Sequence, residues 1–171
     1  MTQQNKIILI ILGILGITAI TKGASYSSAL NFIKKAEGGL YLKAYRDSGN
    51  VPTIGWGSTY DFDKQRKVQM GDVITEEQAQ RWLDMETSQN ASDIKNLVKI
   101  KLTNNQFNAL ISLVYNIGIN AFKNSTMLRL LNSGANINTV ANQFDVWVYD
   151  NGVKVKGLIN RRSAEKTLFL S

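Results

Sequence analysis

The chain has 171 residues, of which 44% are hydrophobic and 19% charged. That is enough for one domain with a sizeable core, and too apolar for a disordered chain. It contains no cysteine and no histidine, which excludes a disulfide framework, thiolate chemistry and imidazole catalysis. A metal site would have to be built from carboxylates, and a general acid must be Glu, Asp, Lys or Tyr. The net charge of +7 favours polyanionic surroundings such as nucleic acid, anionic lipid or an anionic wall polymer. No basic run interleaved with aromatics appears, so nucleic acid is not an expected partner.

Residues 7–21, IILIILGILGITAIT, carry no charge and lie between Lys6 and Lys22. As a helix they span about 22 Å, short of the roughly 30 Å of a bilayer core. Snorkelling of Lys22 extends the reach. Small residues are poorly placed for cleavage: Lys22 stands two residues before Ala24, and Ile17 two before Ala19. Residues 1–24 are therefore expected to be an uncleaved signal-anchor that meets the membrane through residues 7–21, and residues 25–171 the folded domain. Gly13, Gly16 and Thr18 loosen the hold of such a segment on lipid.

Ser27 or Ser28 can cap a helix that runs to about Glu37, with Leu30, Ile33 and Glu37 on one stripe and Lys34 and Lys35 pointing away. Gly38 and Gly39 stop it. Residues 40–45 read as a strand, residues 47–50 (DSGN) as a turn, and residues 53–56 as the returning strand of a hairpin. Residues 60–72 are polar and unpatterned, a loop or irregular strand. Thr75 with Gln78, and Thr103 with Gln106, form capping boxes. The first opens a helix with Trp82, Leu83 and Ile94 inward and an expected break near Asn90. The second opens residues 104–116, with Phe107, Leu110, Ile111 and Val114 as a stripe and Gly118 as a stop. Shorter helices are expected near 125–132 and 139–148, a turn at residues 150–152, and a last helix over about 158–170. The fold class is α+β, with a small hairpin between a first helix and a larger helical lobe.

Chemistry concentrates in residues 37–57, EGGLYLKAYRDSGNVPTIGWG. Two carboxylates in different settings are the equipment of glycoside hydrolysis, one to donate a proton and one to stay ionised. Glu37, on the apolar face of a helix, suits the first role, and Asp47, in a polar turn, the second. The Thr53 hydroxyl can hold a water without competing for charge. Two carboxylates and a threonine around a turn also occur without any catalytic role.

KAEGGLYLKAYRDSGNVPTIGWG resembles the signature of the phage-type lysozymes, glycoside hydrolase family 24. QFNALISLVYNIGINAF is similar to that family's central helix, and FDVWVYDNGVKVKGLINRRSAEKTLF to its C-terminal region. The resemblance covers about residues 25–170. It implies a lysozyme-like fold with a cleft between the two lobes. It also implies hydrolysis of the β-1,4 bond between N-acetylmuramic acid and N-acetylglucosamine in peptidoglycan, with Glu37 as general acid and Asp47 and Thr53 positioning water. Gly55, Asn116 and Gly118 would line the substrate cleft, although Asn and Gly at a helix end also serve as a plain C-cap. Arg161 would pair with Glu37, or else stand in solvent at a helix start. Trp56 and Tyr115 could stack on sugars, but Trp56 is expected in the core. Ser58 stands where some members have histidine, which removes a surface pairing.

The stretch from Glu37 to Asp47 is one residue longer than the commonest family spacing, the extra residue falling at the glycines. The N-terminal segment fits the signal-arrest-release subgroup, whose members are exported tethered to the inner membrane with the catalytic domain in the periplasm and then released. Bacterial lysis would follow. No cofactor or metal is expected, and a monomer is. The alternatives are a membrane-tethered, non-catalytic wall-binding protein and a lytic transglycosylase, which would use the glutamate alone.

Overall fold

The computed structural model describes residues 26–47 and 49–171. The expected anchor at residues 7–21 and the turn residue Ser48 lie outside the described residues. Among the described residues no helix is long and apolar enough to cross a membrane.

Helix α1 (Ser27–Ala36) buries Ala29 and Ile33 and ends on Glu37, whose N–H donates to the Ile33 carbonyl. Ser27 is its first residue rather than its cap. Tyr26 holds the cap position and makes no side-chain cap bond. Strands β1 (Tyr41–Arg46) and β2 (Pro52–Gly55) pair antiparallel, with Tyr41 opposite Gly55 and Tyr45 opposite Thr53 across an irregularity. The polar stretch that follows is more ordered than its composition indicates. It forms a second hairpin, β3 (Tyr60–Asp61) and β4 (Arg66–Lys67). Asp72 secures it by accepting from both Arg66 Nη atoms, at 2.9 and 2.7 Å, and from the Gln69 N–H.

Both capping boxes form, opening α2 (Glu76–Leu97) and α3 (Asn104–Ile117). Helix α2 does not break at Asn90. An interior Asn costs well under about 1 kcal/mol in helix propensity, and the buried stripe of Trp82, Leu83, Thr87, Ala91 and Ile94 runs straight past it. Helix α3 is the axis of the molecule. Residues 107–114 are buried without interruption, and α1, α2 and α7 (Lys156–Leu170) pack around them. A helix buried on all sides needs apolar or small residues on every face, which the run Phe107, Ala109, Leu110, Ile111, Leu113 and Val114 supplies.

Gly118 closes α3 at φ +80° and starts α4 (Ile119–Lys123), a short helix that the sequence pattern does not reveal. Ser125 caps α5 (Thr126–Asn132), and Asn136 caps α6 (Ile137–Ala141), which continues as a 3₁₀ turn (Asn142–Val146) in place of one helix over residues 139–148. The turn at Asn151–Gly152, with φ +47° and +80°, joins a third hairpin, β5 (Tyr149–Asp150) and β6 (Val153–Lys154), before α7. Positive φ at both central residues matches the right-handed twist of a two-residue hairpin. The architecture is α+β: small hairpins on a larger helical body.

Candidate active site

The end of α1, the turn after β1, the end of α3, the β5–β6 hairpin and the start of α7 surround an open cavity of about 610 Å³. Glu37, Asp47, Asn116 and Arg161 all line it. The Gly38–Gly39 step, at φ +73° and +154°, lets the chain leave α1 sharply. Asp47 still reaches the same cavity as Glu37 despite the longer connection.

Glu37 is not in an apolar setting. Its side chain is 20% exposed, and Oε1 accepts from Arg161 Nη1 at 2.7 Å. The other oxygen packs against the backbone of Gly57, where an added Cβ would come within 2.7 Å of Oε2. Gly57, at φ +92°, therefore leaves room for the carboxylate, a function invisible in a row of glycines. Arg161 is itself fixed. Its Nε donates to Glu165 at 3.2 Å and its Nη2 to the Ser112 carbonyl at 3.3 Å.

Across the turn, Asp47 Oδ1 accepts from the Val51 N–H at 2.8 Å, and the backbone of the two residues pairs as well. This leaves Oδ2 without a hydrogen-bond partner among the described residues. Thr53 is 3% exposed and is not part of the cavity lining. Its hydroxyl donates to the Val51 carbonyl at 3.0 Å.

Gly55 and Gly118 also stand apart from the lining. A Cβ at Gly55 would meet Ala79 at 3.4 Å and Ile74 at 3.5 Å, so this glycine lets β2 lie close to α2. Gly118 terminates α3, its N–H donating to Val114. Trp56 is a core residue, 9% exposed, with Lys34 Nζ 4.3 Å from its ring centroid and its carbonyl accepting from Tyr115 Oη at 2.7 Å. Ser58 is 5% exposed rather than superficial, and its hydroxyl donates to the Tyr60 carbonyl. Among the described residues no cluster of acidic side chains is arranged to hold a metal.

Several features escaped the sequence reading. Val146, Trp147, Tyr149 and Val155 form its apolar rim, which only the folding of the third hairpin brings there. Glu86 on α2 has one buried oxygen with no partner. Burial, and then the charge of Glu37, push its carboxyl up to about 7. Burial, followed by Glu86 and Glu37, also raises the Tyr115 phenol well above its usual range. The register of α2 held a signal for Glu86, since it follows Trp82 by four residues and Leu83 by three.

Residues 34–165 match the phage lysozyme family. The chain belongs to that family. It is a lysozyme-type enzyme. An endolysin of Acyrthosiphon pisum secondary endosymbiont phage 1 is 40% identical to it over 146 residues, covering 83% of this chain and 94% of the relative. A SAR-endolysin of bacteriophage PS119 is 31% identical over 132 residues, covering 77% and 75%. Among solved structures, the endolysin from Escherichia coli O157:H7 phage FAHEc1 superposes with a TM-score of 0.76 at 35% identity, covering 88% of this chain and 95% of that one. The lysozyme-like fold of these relatives is the fold seen here, with small strand hairpins beside a larger helical part.

Proposed function

We propose that this phage lysozyme cuts the β-1,4 bond between N-acetylmuramic acid and N-acetylglucosamine in peptidoglycan, and so lyses bacteria. One observation carries the reading: Glu37 and Asp47, ten positions apart in sequence, line one open cavity in a chain of this family. Glu37 in its protonated form donates to the glycosidic oxygen as the bond breaks, and the sugar ring passes through an oxocarbenium-like transition state. Arg161 orients that carboxyl. Asp47, its Oδ1 held by the Val51 amide, presents Oδ2 to a water.

Thr53, buried and outside the cavity lining, positions the water indirectly: its hydroxyl donates to the Val51 carbonyl, which also accepts from the Asp47 N–H. A water that gives one hydrogen to Asp47 aims its lone pair at the anomeric carbon. This is a single displacement, so the new reducing end forms with inverted configuration. Asn116 and the apolar rim at Trp147 and Tyr149 supply the hydrogen-bonding and stacking surface that a sugar chain needs. Gly55 and Gly118 support this cleft from behind, through the packing of β2 and the end of α3.

Residues 7–21 act as an uncleaved anchor in the inner membrane, holding the enzyme as a monomer on the periplasmic side until release. The similarity to SAR-endolysins supports this part of the reading. It fails if all the protein remains membrane-bound after the membrane potential is collapsed.

Glu37→Gln tests the catalytic assignment. It keeps the size of the side chain and an acceptor for Arg161 but removes the proton donor. Release of reducing sugar from purified peptidoglycan should fall by at least about a hundredfold, with the circular dichroism spectrum unchanged. Turnover at wild-type rate in this variant excludes Glu37 as the acid.

A further inference from the structure

Glu165 takes no part in the reaction above, yet it is wholly buried. Its Oε1 accepts from Ser112 Oγ at 2.7 Å, from Arg162 Nη2 at 3.0 Å and from Arg161 Nε at 3.2 Å. Arg162 Nε lies 2.7 Å from Oε2, close enough for charge attraction but misaligned as a hydrogen bond. Burial pushes the Glu165 carboxyl up and the Arg162 guanidinium down. A buried ion cluster of this kind contributes little net stability, because desolvation offsets the attraction. Its consequence lies in what it does to Arg161.

A proton donor 2.7 Å from a guanidinium faces a difficulty, since a cation at that distance favours the ionised carboxylate. The geometry supplies the remedy. Arg161 spends Nη1 on Glu37, Nε on Glu165 and Nη2 on the Ser112 carbonyl. The four side chains alternate in charge: Glu37, Arg161, Glu165, Arg162. The other ionisable groups that sense Glu37 are Glu86 on α2, Tyr115 on α3 and Tyr45 on β1, with Asp47 across the same cavity. All of these are neutral or negative. Arg161 is the one cation paired with Glu37 among the described residues.

We propose that Glu165 is a positioning residue for the reaction: it fixes Arg161 and shares its charge, so that the guanidinium orients Glu37 without locking it as a carboxylate. The proposal rests on Glu37 being the proton donor. It assigns opposite effects to the two buried partners. Removing the charge of Glu165 leaves Arg161 wholly to Glu37 and favours the carboxylate. Removing Arg162 leaves Glu165 wholly to Arg161 and favours the protonated acid.

The test uses the full chain as wild type, Glu165→Gln and Arg162→Met. The Glu37 side-chain carboxyl carbon, assigned by its loss in Glu37→Gln, is titrated by NMR, and kcat and KM on peptidoglycan fragments are measured against pH. In Glu165→Gln the Glu37 midpoint moves to lower pH, and the alkaline limb of kcat follows it by on the order of one pH unit, about tenfold in rate on that limb. KM changes less than kcat. In Arg162→Met the midpoint moves to higher pH. Unchanged midpoints, or movement in the same direction in both folded variants, overturn the proposal. If one variant does not fold, the sign of the shift in the other decides. If wild type fails to cleave while the opposed shifts appear, the charge sharing stands and the proton-donor reading is what fails.

Discussion

Replacing Glu86 by Gln should make the protein more stable at alkaline pH and leave it nearly unchanged at acid pH. Glu86 sits one turn beyond Trp82 on α2, with Oε2 buried and unpartnered. Its carboxyl is pushed from an ordinary value of 4.5 up to about 7, first by burial and then by the charge of Glu37. The folded protein therefore keeps this proton up to about pH 7, whereas the unfolded chain releases it near pH 4.5. Between those values the folded state binds more protons, and stability falls as pH rises. The contribution is fully present below pH 4.5 and is lost as pH rises through about 7. A gap of about 2.5 units corresponds to about 3 kcal/mol, an upper figure for a side chain at the margin of the core. Gln mimics the protonated acid at every pH. At pH 8, Glu86→Gln should be more stable than wild type by up to about 3 kcal/mol, or roughly 6–10 °C in Tm for a chain of this length. At pH 4 the two should agree within about 1 kcal/mol. Thermal and urea unfolding at pH 4, 6 and 8 give the comparison. Equal stability of the two proteins at all three values would refute the reasoning, since an ionised Glu86 would then cost nothing.

Gly57→Ala should displace the Glu37 carboxylate, because the new Cβ would come within 2.7 Å of Oε2 and the flexible carboxylate yields before the backbone. The variant should fold, lose about 1–2 kcal/mol from forcing a non-glycine residue into positive φ, and lose kcat by tenfold or more, read from steady-state kinetics beside a melting curve. Asp72→Asn should loosen residues 60–74. The bidentate pair with Arg66 holds the Asp72 carboxyl well below its usual range, so its contribution is present above about pH 3.8 and lost as pH falls. Amide exchange in β3 and β4 should quicken at pH 7, and by a smaller factor at pH 2, where part of the contribution is already lost. Leu110→Ala, in the fully buried centre of α3, should cost about 2–5 kcal/mol in urea unfolding with the catalytic pH profile unmoved.

The parts of this fold that could be read from the chain are those specified locally. Thr75 with Gln78 and Thr103 with Gln106 satisfy helix termini within four residues, and the stripe from Phe107 to Val114 carries its own period. Trp56, expected in the core, lies there. The missed features depend on partners distant in sequence. Nothing near Glu165 reveals that Ser112 will donate to it, and the apolar rim of the cavity exists only once β5 and β6 fold beside α3. Glu37 was expected against an apolar face because its helix stripe is apolar. Arg161, from the other end of the chain, changes that setting. Helix α2 runs through Asn90 because tertiary burial outweighs a small propensity cost. The hairpin at residues 60–67 was obscured by its polar side chains, since its order comes from Asp72 rather than from hydrophobic alternation.

The central claim is that Glu37, Asp47 and Thr53 hydrolyse a glycosidic bond with water as the nucleophile. It is tested most directly by identifying the sugar ends that the purified wild-type protein makes from peptidoglycan, by mass spectrometry with and without borohydride reduction. Reducing N-acetylmuramic acid, absent with Glu37→Gln, is the predicted product. Non-reducing 1,6-anhydro ends would contradict the claim, because they form without water and leave Asp47 and Thr53 with no role. Absence of any cleavage, under conditions where another muramidase digests the same peptidoglycan, would contradict it as well.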